Sequence, residues 1–457
     1  MEDDNKRFYK TLFAVVFPAA FQQLMVAIVG ASDAIMLGAI DQDSLSAVSL
    51  AAQVMFVFSL FLCATIMGTN IFAAQYWGKN DKKTVEKLLG YTVKISFAVS
   101  VVFFIGTTFM PTSIMKIFTS EQLLIDYGAK YLRIVGTSYI MMSISEIYIC
   151  IMKNCGKALK STAISSVSVL INIILNAILI YGLFGMPAMG ISGAAIATVI
   201  SKIVELTWVL VEASKKESIR FHLKYILHTE KQMKSDFWKY AVPIFGNQIV
   251  WGFGFTMYSV IMGHLGNDAV AANSIANIAK NLTSSFCMGI GIGGGIIVGN
   301  ELGRGNLELA KSYGKRVCKM SVISGIITGC VLLALIPAIV HFTNLSEQAS
   351  EYLKWMLVMC SYYLFGKSIN ATTIAGIFCA GGDSRFGFIC DAITMWAVTV
   401  PLGMIAAFVL KLPVIAVYFF ITLDEIVKLP AVFRHYRKYL WVKDLTRDSM
   451  KDVKMVL

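Results

Sequence analysis

The hydrophobic residues of this chain fall into long, nearly continuous blocks that are separated by polar loops. The blocks lie near residues 12–38, 46–76, 88–110, 129–152, 162–182, 188–212, 240–265, 269–300, 318–341, 352–379, 386–409 and 413–433. Each is long enough for a transmembrane helix, which needs about 20 mostly apolar residues. Because the blocks are continuous rather than alternating, they favour helices over barrel strands. The pattern therefore predicts an all-α polytopic membrane protein with twelve transmembrane helices.

The composition agrees with this pattern. Of the 457 residues, 57% are hydrophobic and 15% are charged, which excludes an ordinary water-soluble fold. The nine Cys are scattered, without the spacing of a disulfide framework or a metal site. We expect no cofactor, and only Na⁺ or H⁺ as a coupling ion.

The formal charge of +12 comes from basic residues that are distributed very unevenly along the chain. Thirty of the 40 Lys and Arg lie in loops on one predicted side of the membrane, and five lie in the opposite loops. Loops rich in Lys and Arg stay in the cytoplasm. We therefore expect a multi-pass protein of the cell membrane with both termini cytoplasmic, and no nucleic-acid partner. The charged start leads directly into an apolar helix, so no removable signal peptide is expected.

A long polar stretch, Glu212 to Lys239, divides the twelve blocks into two sets of six. We interpret it as a cytoplasmic linker. The predicted organisation is an N-terminal six-helix lobe over residues 1–213, a linker over 214–239, a C-terminal six-helix lobe over 240–436 and a cytoplasmic tail over 437–457.

The two halves also share a weak sequence repeat. A shift of 225 residues gives twelve identical pairs between residues 18–96 and 243–321, among them Pro18 with Pro243 and Gly78 with Gly303. With six spans in each half, both copies enter the membrane from the cytoplasm. This arrangement predicts two bundles related by a pseudo-two-fold axis along the membrane normal, with a cleft that can open alternately to either side.

Several local motifs point to a known family. They are Pro18, Gln23 and Asp33 in the first span, Trp77-Gly78 at the end of the second, and the stretch from Asn172 to Thr198 with its Gly185-Met186-Pro187 turn. With these motifs the chain resembles the multidrug and toxic compound extrusion (MATE) family over nearly its whole length. The resemblance implies export of amphipathic, usually cationic, compounds, driven by an inward gradient of Na⁺ or H⁺.

Asp33 is the strongest candidate for a coupling residue. An ionisable group inside a membrane span is costly, so it usually has both a partner and a function. Asn172 and Asn176 share one face of span 5, and Thr198 lies at a similar depth in span 6. These four residues supply oxygen ligands suited to Na⁺, or alternatively a carboxyl group that holds a proton. The family resemblance likewise implies a cation site at these four positions.

Other intramembrane acids compete with Asp33 for this role. Asp391, Glu146 and Glu425 are secondary candidates, together with Asp424, and for all of them we favour simple ion pairing. Span 7 has no acid, and Tyr258 occupies the position that corresponds to Asp33 in the repeat. Because one MATE subgroup carries an acid in span 7, this difference favours the DinF-like subgroup.

Two further interpretations concern movement and alternative functions. Pro18 lacks an amide donor and is a candidate hinge in span 1, although a static kink fits it equally well. A lipid-linked precursor flippase of the same broad fold is an alternative, with Lys280 and Lys367 as its possible pyrophosphate-binding residues. A membrane-embedded enzyme is poorly supported, because the spans hold no catalytic Cys/His or Ser/His pair. We expect the protein to be a monomer that contacts lipid and amphipathic small molecules.

Overall fold

The computed structural model of the chain describes residues 2–343 and 345–446, and every regular element within those ranges is helical. The helices in chain order are α1 Glu2–Gly38, α2 Gln42–Gly78, α3 Lys82–Phe109, α4 Pro111–Phe118, α5 Gln122–Asn154, α6 Ala158–Tyr181, α7 Ile191–Ser214, α8 Leu223–Leu227, α9 Lys231–Gly263, α10 Asn267–Gly303, α11 Leu307–Phe342, α12 Glu347–Asn370, α13 Ser384–Ala392, α14 Val400–Met404, α15 Val414–Ile421, α16 Asp424–Val427 and α17 Leu429–Tyr436. Three π-helical segments continue these helices, at Ala371–Phe378, Ile393–Thr399 and Ile405–Val409. The predicted all-α membrane fold is confirmed.

Nine of the described helical stretches are long and apolar enough to cross a membrane, by length and composition. They are α1 from Phe8, α2, α3, α5, α6, α7, α10, α11 and the run Ser384–Val409. The other three predicted blocks correspond to α9, to α12 with its π-helical continuation, and to the short helices α15 to α17.

The last predicted block, 413–433, is not one continuous helix as expected. It breaks after Ile421, and α16 begins at Asp424. After Thr422 the backbone amides bond three residues back instead of four, from Leu423 to the carbonyl of Phe420 at 3.4 Å and from Ile426 to that of Leu423 at 3.0 Å. Pro430 has no amide hydrogen to donate, so the chain cannot continue as a regular helix there either. Hydropathy could not predict this break, because the residues on both sides of it remain apolar.

The described residues pack into two units. The first unit contains the described parts of Met1–Leu24, Ala74–Asn80 and Phe237–Leu457. The second unit contains Met25–Ala73 and Asp81–Asp236. The division within α1 falls six residues after Pro18. These bounds differ from those of the two lobes predicted from the sequence, and the lobe boundaries stay a prediction. Residues 447–457 of the predicted tail lie outside the described residues.

The helix bounds repeat at the spacing of the sequence repeat. Five helix boundaries recur 225 residues later: the ends of α1 and α9 at Gly38 and Gly263, the starts of α2 and α10 at Gln42 and Asn267, their ends at Gly78 and Gly303, the starts of α3 and α11 at Lys82 and Leu307, and the starts of α5 and α12 at Gln122 and Glu347. The register inferred from twelve identical pairs is therefore also the register of the helices.

The ends of α2 and α10 cross within the first unit through equivalent glycines. A Cβ atom at Gly78 would overlap the carbonyl oxygen of Asn300, and one at Gly303 would overlap that of Gln75. The buried Gln75 side chain also donates to the carbonyl of Ala380 at 2.7 Å and accepts from the amide of Leu445 at 2.6 Å. The two helix backbones thus cross without space for a side chain at either glycine, and the Gln75 side chain joins the crossing to the segment after α17.

We expect Gly78→Ala and Gly303→Ala each to destabilise the protein by about 2 kcal/mol, because overpacking forces the helix backbones apart. Gly30→Ala is the control, since a Cβ atom there would meet no atom within 4 Å. Because alanine favours the helical backbone over glycine, Gly30→Ala should stabilise the protein by about 0.5 kcal/mol. Melting midpoints of the purified variants, followed by size-exclusion chromatography, measure the difference. Equal midpoints for all three variants would contradict the tight crossing.

Candidate functional site

The four residues of the predicted ion site form one chain of hydrogen bonds within the second unit. Asn176 Nδ2 donates to Asp33 Oδ1 at 2.5 Å and to Asn172 Oδ1 at 3.2 Å. Asn172 Nδ2 in turn donates to Thr198 Oγ1 at 3.3 Å. Both Asn side chains are buried, and Asp33 is partly buried. The structure therefore brings α1, α6 and α7 together at these residues, whereas their role in coupling stays a prediction.

The sequence between α6 and α7 explains why Thr198 meets Asn172. Gly182 and Gly190 have φ angles of 73° and 51°, so the chain turns where other residues would be strained. The α7 helix then packs closely on α6, because a Cβ atom at Gly193 would lie only 2.6 Å from the carbonyl oxygen of Leu179. This close approach leaves the two helices near enough for their polar side chains to bond directly.

Two oxygen atoms at the site remain available to a cation. Asn176 Oδ1 is buried and has no hydrogen-bond partner among the described residues. Asp33 uses Oδ1 to accept from Asn176, and no donor to its Oδ2 is found in the described part of the chain. An unpaired amide oxygen beside a carboxylate fits a hard cation, and Oδ2 could equally carry a proton.

Transition-metal ligands are not gathered in the described ranges. No group of three or more His, Cys, Asp or Glu side chains there could hold a metal ion. The donor set around Asp33 consists of oxygen atoms alone, which is the chemistry of Na⁺ or of a proton rather than of zinc or iron.

An apolar layer lies one helical turn from this polar chain. Leu37, Ile180 and Ala194 belong to one buried cluster, and each is four residues from Asp33, Asn176 or Thr198 on the same helix. Four residues of helix correspond to about 6 Å. The layer restricts water from one direction, and hydrogen bonds and charge interactions are stronger where water is excluded.

The secondary candidates Asp391 and Glu425 belong to the first unit and share one lysine. Asp391 accepts from Lys428 Nζ at 2.8 Å and from Asn247 Nδ2 at 2.7 Å. Glu425 lies 3.2 Å from Lys428 Nζ and 3.2 Å from Lys367 Nζ. Both acids are ion-paired, and whether they also take a direct part in coupling stays a prediction.

Glu146, the third secondary candidate, lies in the second unit and is also near a lysine. Its Oε1 atom is 4.0 Å from Lys202 Nζ, which lies closer to Glu205 at 2.9 Å. Ser145 donates to the same Glu205 at 2.7 Å. Glu146 therefore belongs to a small charged network between α5 and α7.

Sequence reasoning missed several members of these networks. Glu205 and Lys428 received no role, although both are almost completely buried. A local signal existed, because Lys202 and Glu205, and Glu425 and Lys428, are opposite charges three residues apart on one helix face. Asn247 carried no comparable signal, since its partner Asp391 is 144 residues away. Pro18 lies inside α1, and its function as a hinge stays a prediction.

Comparison with known proteins places these features in a family. The MatE family model matches residues 18–178 and 243–422. The chain is 25% identical to the "Probable multidrug resistance protein YoeA" of Bacillus subtilis, over 88% of this chain and 87% of that protein. It is 23% identical to the "Probable multidrug resistance protein NorM" of Thermotoga maritima, over 97% and 96% of the two chains.

The fold is also similar to that of solved structures. One of them is described as the outward-facing conformation of a multidrug resistance MATE family transporter of the MOP superfamily. It superposes with a TM-score of 0.86 at 17% sequence identity, over 94% of this chain and 95% of that chain. At this level of identity the similarity concerns the fold alone.

Proposed function

The chain belongs to the MatE family, and from that premise we propose that it is a secondary active antiporter that exports amphipathic, mainly cationic, compounds in exchange for Na⁺ or H⁺. It is a multi-pass membrane transporter and not an enzyme. The relatives named as multidrug resistance proteins support the proposed class of substrate. We further propose that it acts as a monomer in the cell membrane with both termini cytoplasmic, without cofactor or nucleic acid.

One observation carries this proposal. A partly buried carboxylate, Asp33, is held by a buried amide, Asn176, whose own oxygen has no partner in the described residues. A buried amide oxygen without a hydrogen-bond donor costs free energy. A bound cation, or a proton on Asp33 that reorganises the amide pair, would remove that cost.

The proposed mechanism uses the ion to select between two states of the protein. An ion entering from outside neutralises Asp33 and favours the state that releases it to the cytoplasm. Loss of the ion restores the charge and favours the state that exposes substrate to the exterior. Pro18 is the proposed hinge in α1, the helix that also carries Asp33. The ion gradient thereby supplies the free energy of export.

The distribution of acids supports a DinF-like subgroup within the family. The residue equivalent to Asp33 in the repeat is Tyr258, whose hydroxyl lies 2.5 Å from Thr399 Oγ1. This pair is neutral, so it offers no second carboxylate for coupling. We therefore propose that coupling depends on the Asp33 site alone.

The flippase alternative receives less support. A lipid-linked pyrophosphate would require several cationic side chains that are available to bind it. Of the two lysines that sequence reasoning assigned to this role, Lys367 is already paired with Glu425 at 3.2 Å. One remaining lysine is a weak site for a group that carries multiple negative charges.

Export of a fluorescent organic cation from membrane vesicles tests the proposed function. An inward Na⁺ gradient and an inward pH gradient are imposed in separate experiments, and we expect efflux with the gradient of the coupling ion. Little or no efflux should occur when both gradients are collapsed. Antiport predicts that the driving ion moves in the opposite direction to the dye. Equal efflux with both gradients collapsed would contradict the proposal, as would efflux no greater than in vesicles without the protein.

A further inference from the structure

The short helix α8 packs against α3 within the second unit. A Cβ atom at Gly90 of α3 would lie 2.8 Å from the Cβ atom of Tyr225 and 3.1 Å from the backbone nitrogen of Ile226. Tyr225 and Ile226 are only partly exposed. One face of α8 is therefore fixed by the protein, at a position of α3 that has no space for a side chain.

A second face of α8 is apolar and exposed. Leu223 and Leu227 are four residues apart, so they lie on the same face of the helix. Their exposed fractions are 72% and 60%. Two neighbouring leucines form a patch, and exposing apolar surface to water is unfavourable. This face is therefore expected to contact an apolar partner.

The position of α8 along α3 places this face at the membrane surface. Lys94 is exposed and follows Gly90 by four residues, about 6 Å along the helix. The exposed residues of α3 beyond Lys94 are all apolar, among them Phe97, Val102 and Ile105. A lysine on the exposed surface of a span extends its ammonium group to the lipid headgroups. The headgroups therefore lie near Lys94, and α8 contacts α3 on the polar side of that level.

The segment that contains α8 has more basic than acidic residues, and most acids around it are already paired. Residues 215–231 include five Lys or Arg and two acids. Of these acids, Glu230 lies 2.5 Å from Lys87 Nζ and Glu217 is exposed. Glu86 of α3 lies 3.2 Å from His222 Nε2. These pairs attach both ends of α8 to α3, and they use carboxylates that could otherwise neutralise the segment.

Three basic side chains of the segment remain available to a partner. Lys216, Arg220 and Lys224 are exposed, and in the described part of the chain no carboxylate lies within 4.0 Å of their charged groups. Lys224 is next to Leu223, so cationic and apolar groups meet on one short helix. This combination is typical of a segment that lies in the membrane interface and is attracted to anionic lipids.

We propose that α8 and the basic residues before it form a docking surface for anionic phospholipids of the leaflet on the linker side. Leu223 and Leu227 contact the acyl chains just below the headgroups, and Lys216, Arg220 and Lys224 pair with headgroup phosphates. A soluble protein would have to displace headgroups at this level, which favours lipid as the occupant. The proposal rests on the proposed membrane orientation and goes beyond the export function by assigning a lipid class to this surface.

Hydrogen–deuterium exchange of the full chain tests this surface. The protein is placed at one copy per lipid nanodisc, either in phosphatidylcholine or in an equal mixture with phosphatidylglycerol of the same acyl chains. The amides of Tyr225 and His228, which donate to the carbonyls of His222 and Lys224 at 2.9 Å each, report on α8. We expect their exchange to be at least about fivefold slower with phosphatidylglycerol, which is the effect of one basic residue near an anionic surface.

Matched variants separate the contribution of charge from that of apolar contact. Lys216→Gln, Arg220→Gln and Lys224→Gln combined should remove the difference between the two lipid compositions, whereas Lys224→Arg should keep it. Leu223→Ser should speed exchange in both compositions, because contact with acyl chains does not depend on headgroup charge. Lys116→Gln changes an exposed lysine of α4 in the same unit and should behave like wild type.

One measurement needs no variant. In about 1 M salt, where charges are screened beyond about 3 Å, the slowing by phosphatidylglycerol should largely disappear in the wild-type protein. Equal exchange in the two compositions, or equally slow exchange in neutral detergent micelles, would overturn the proposal. Slow exchange only in discs that hold two copies would assign the face to a second copy instead. Exchange reports no transport, so a failure of antiport would leave this result unchanged.

Discussion

Asp33→Asn is expected to reduce gradient-driven export to the rate of vesicles that lack the transporter. The amide has nearly the shape of the carboxylate, and its oxygen can still accept from Asn176 Nδ2, which now lies 2.5 Å from Asp33 Oδ1. The variant should therefore fold and reach the membrane. It cannot bind a proton at this position or offer Na⁺ a negative charge, so the ion no longer prefers one state of the protein. A ligand that binds two states equally does not shift the equilibrium between them. Dye efflux from vesicles, normalised to the amount of transporter, measures the effect.

Two controls sharpen this experiment. Asp33→Glu keeps the charge on a longer side chain and should retain part of the activity. Asp126→Asn removes a carboxylate that accepts from Gln122 at 2.8 Å in an exposed part of α5, so export should stay at the wild-type rate. Unchanged efflux by Asp33→Asn at normal expression would show that the coupling ion binds elsewhere. Loss of export in Asp126→Asn would show that the assay reports general damage.

The geometry of the Asp33 site could be predicted because its members follow local rules. Asn172 and Asn176 are four residues apart on α6, and helical periodicity alone places them on one face. There Asn176 Nδ2 lies 3.2 Å from Asn172 Oδ1. The depth of Thr198 followed from counting residues from the end of its span. The individual contacts could not be predicted, because the 2.5 Å approach of Asn176 to Asp33 depends on the packing of α1 against α6.

The internal repeat could be predicted from few identities because those residues stand at helix boundaries. Gly78 and Gly303 end equivalent helices, and both lie where a Cβ atom would overlap a carbonyl oxygen of the crossing helix. Such positions tolerate little change, whereas the apolar positions between them accept many residues of similar size. A small number of identical pairs at helix boundaries was therefore enough to predict the correct register of the repeat.

The charged networks could be predicted only in part. Hydropathy identified Asp391 and Glu425 as acids inside spans, but their shared partner Lys428 was left without a role. Its contact with Asp391 joins separate helices and leaves no local pattern. The break between α15 and α16 was also missed, since apolar residues flank it on both sides. Tertiary packing determines both features.

Lys428→Met is expected to lower the free energy of unfolding by about 3 to 5 kcal/mol, which is the usual cost of leaving a buried charge unpaired. Lys428 is 3% exposed, and its Nζ atom lies 2.8 Å from Asp391 and 3.2 Å from Glu425. Its removal leaves Asp391 with only the Asn247 amide as a described partner, whereas Glu425 retains Lys367. The melting midpoint in detergent should fall clearly, and it is measured at one pH and one salt concentration.

A surface pair of the same spacing provides the control. Lys311 and Glu308 are also three residues apart, at 2.6 Å, but the side chain of Glu308 is 86% exposed. Lys311→Met should therefore cost less than about 1 kcal/mol. Asp391→Asn combined with Lys428→Met should recover part of the lost stability, because the amide oxygen can still accept from Asn247 without a buried charge. If the double variant is as unstable as the sum of the single variants, then Lys428 stabilises the fold through its packing and Glu425, and not through its ion pair with Asp391.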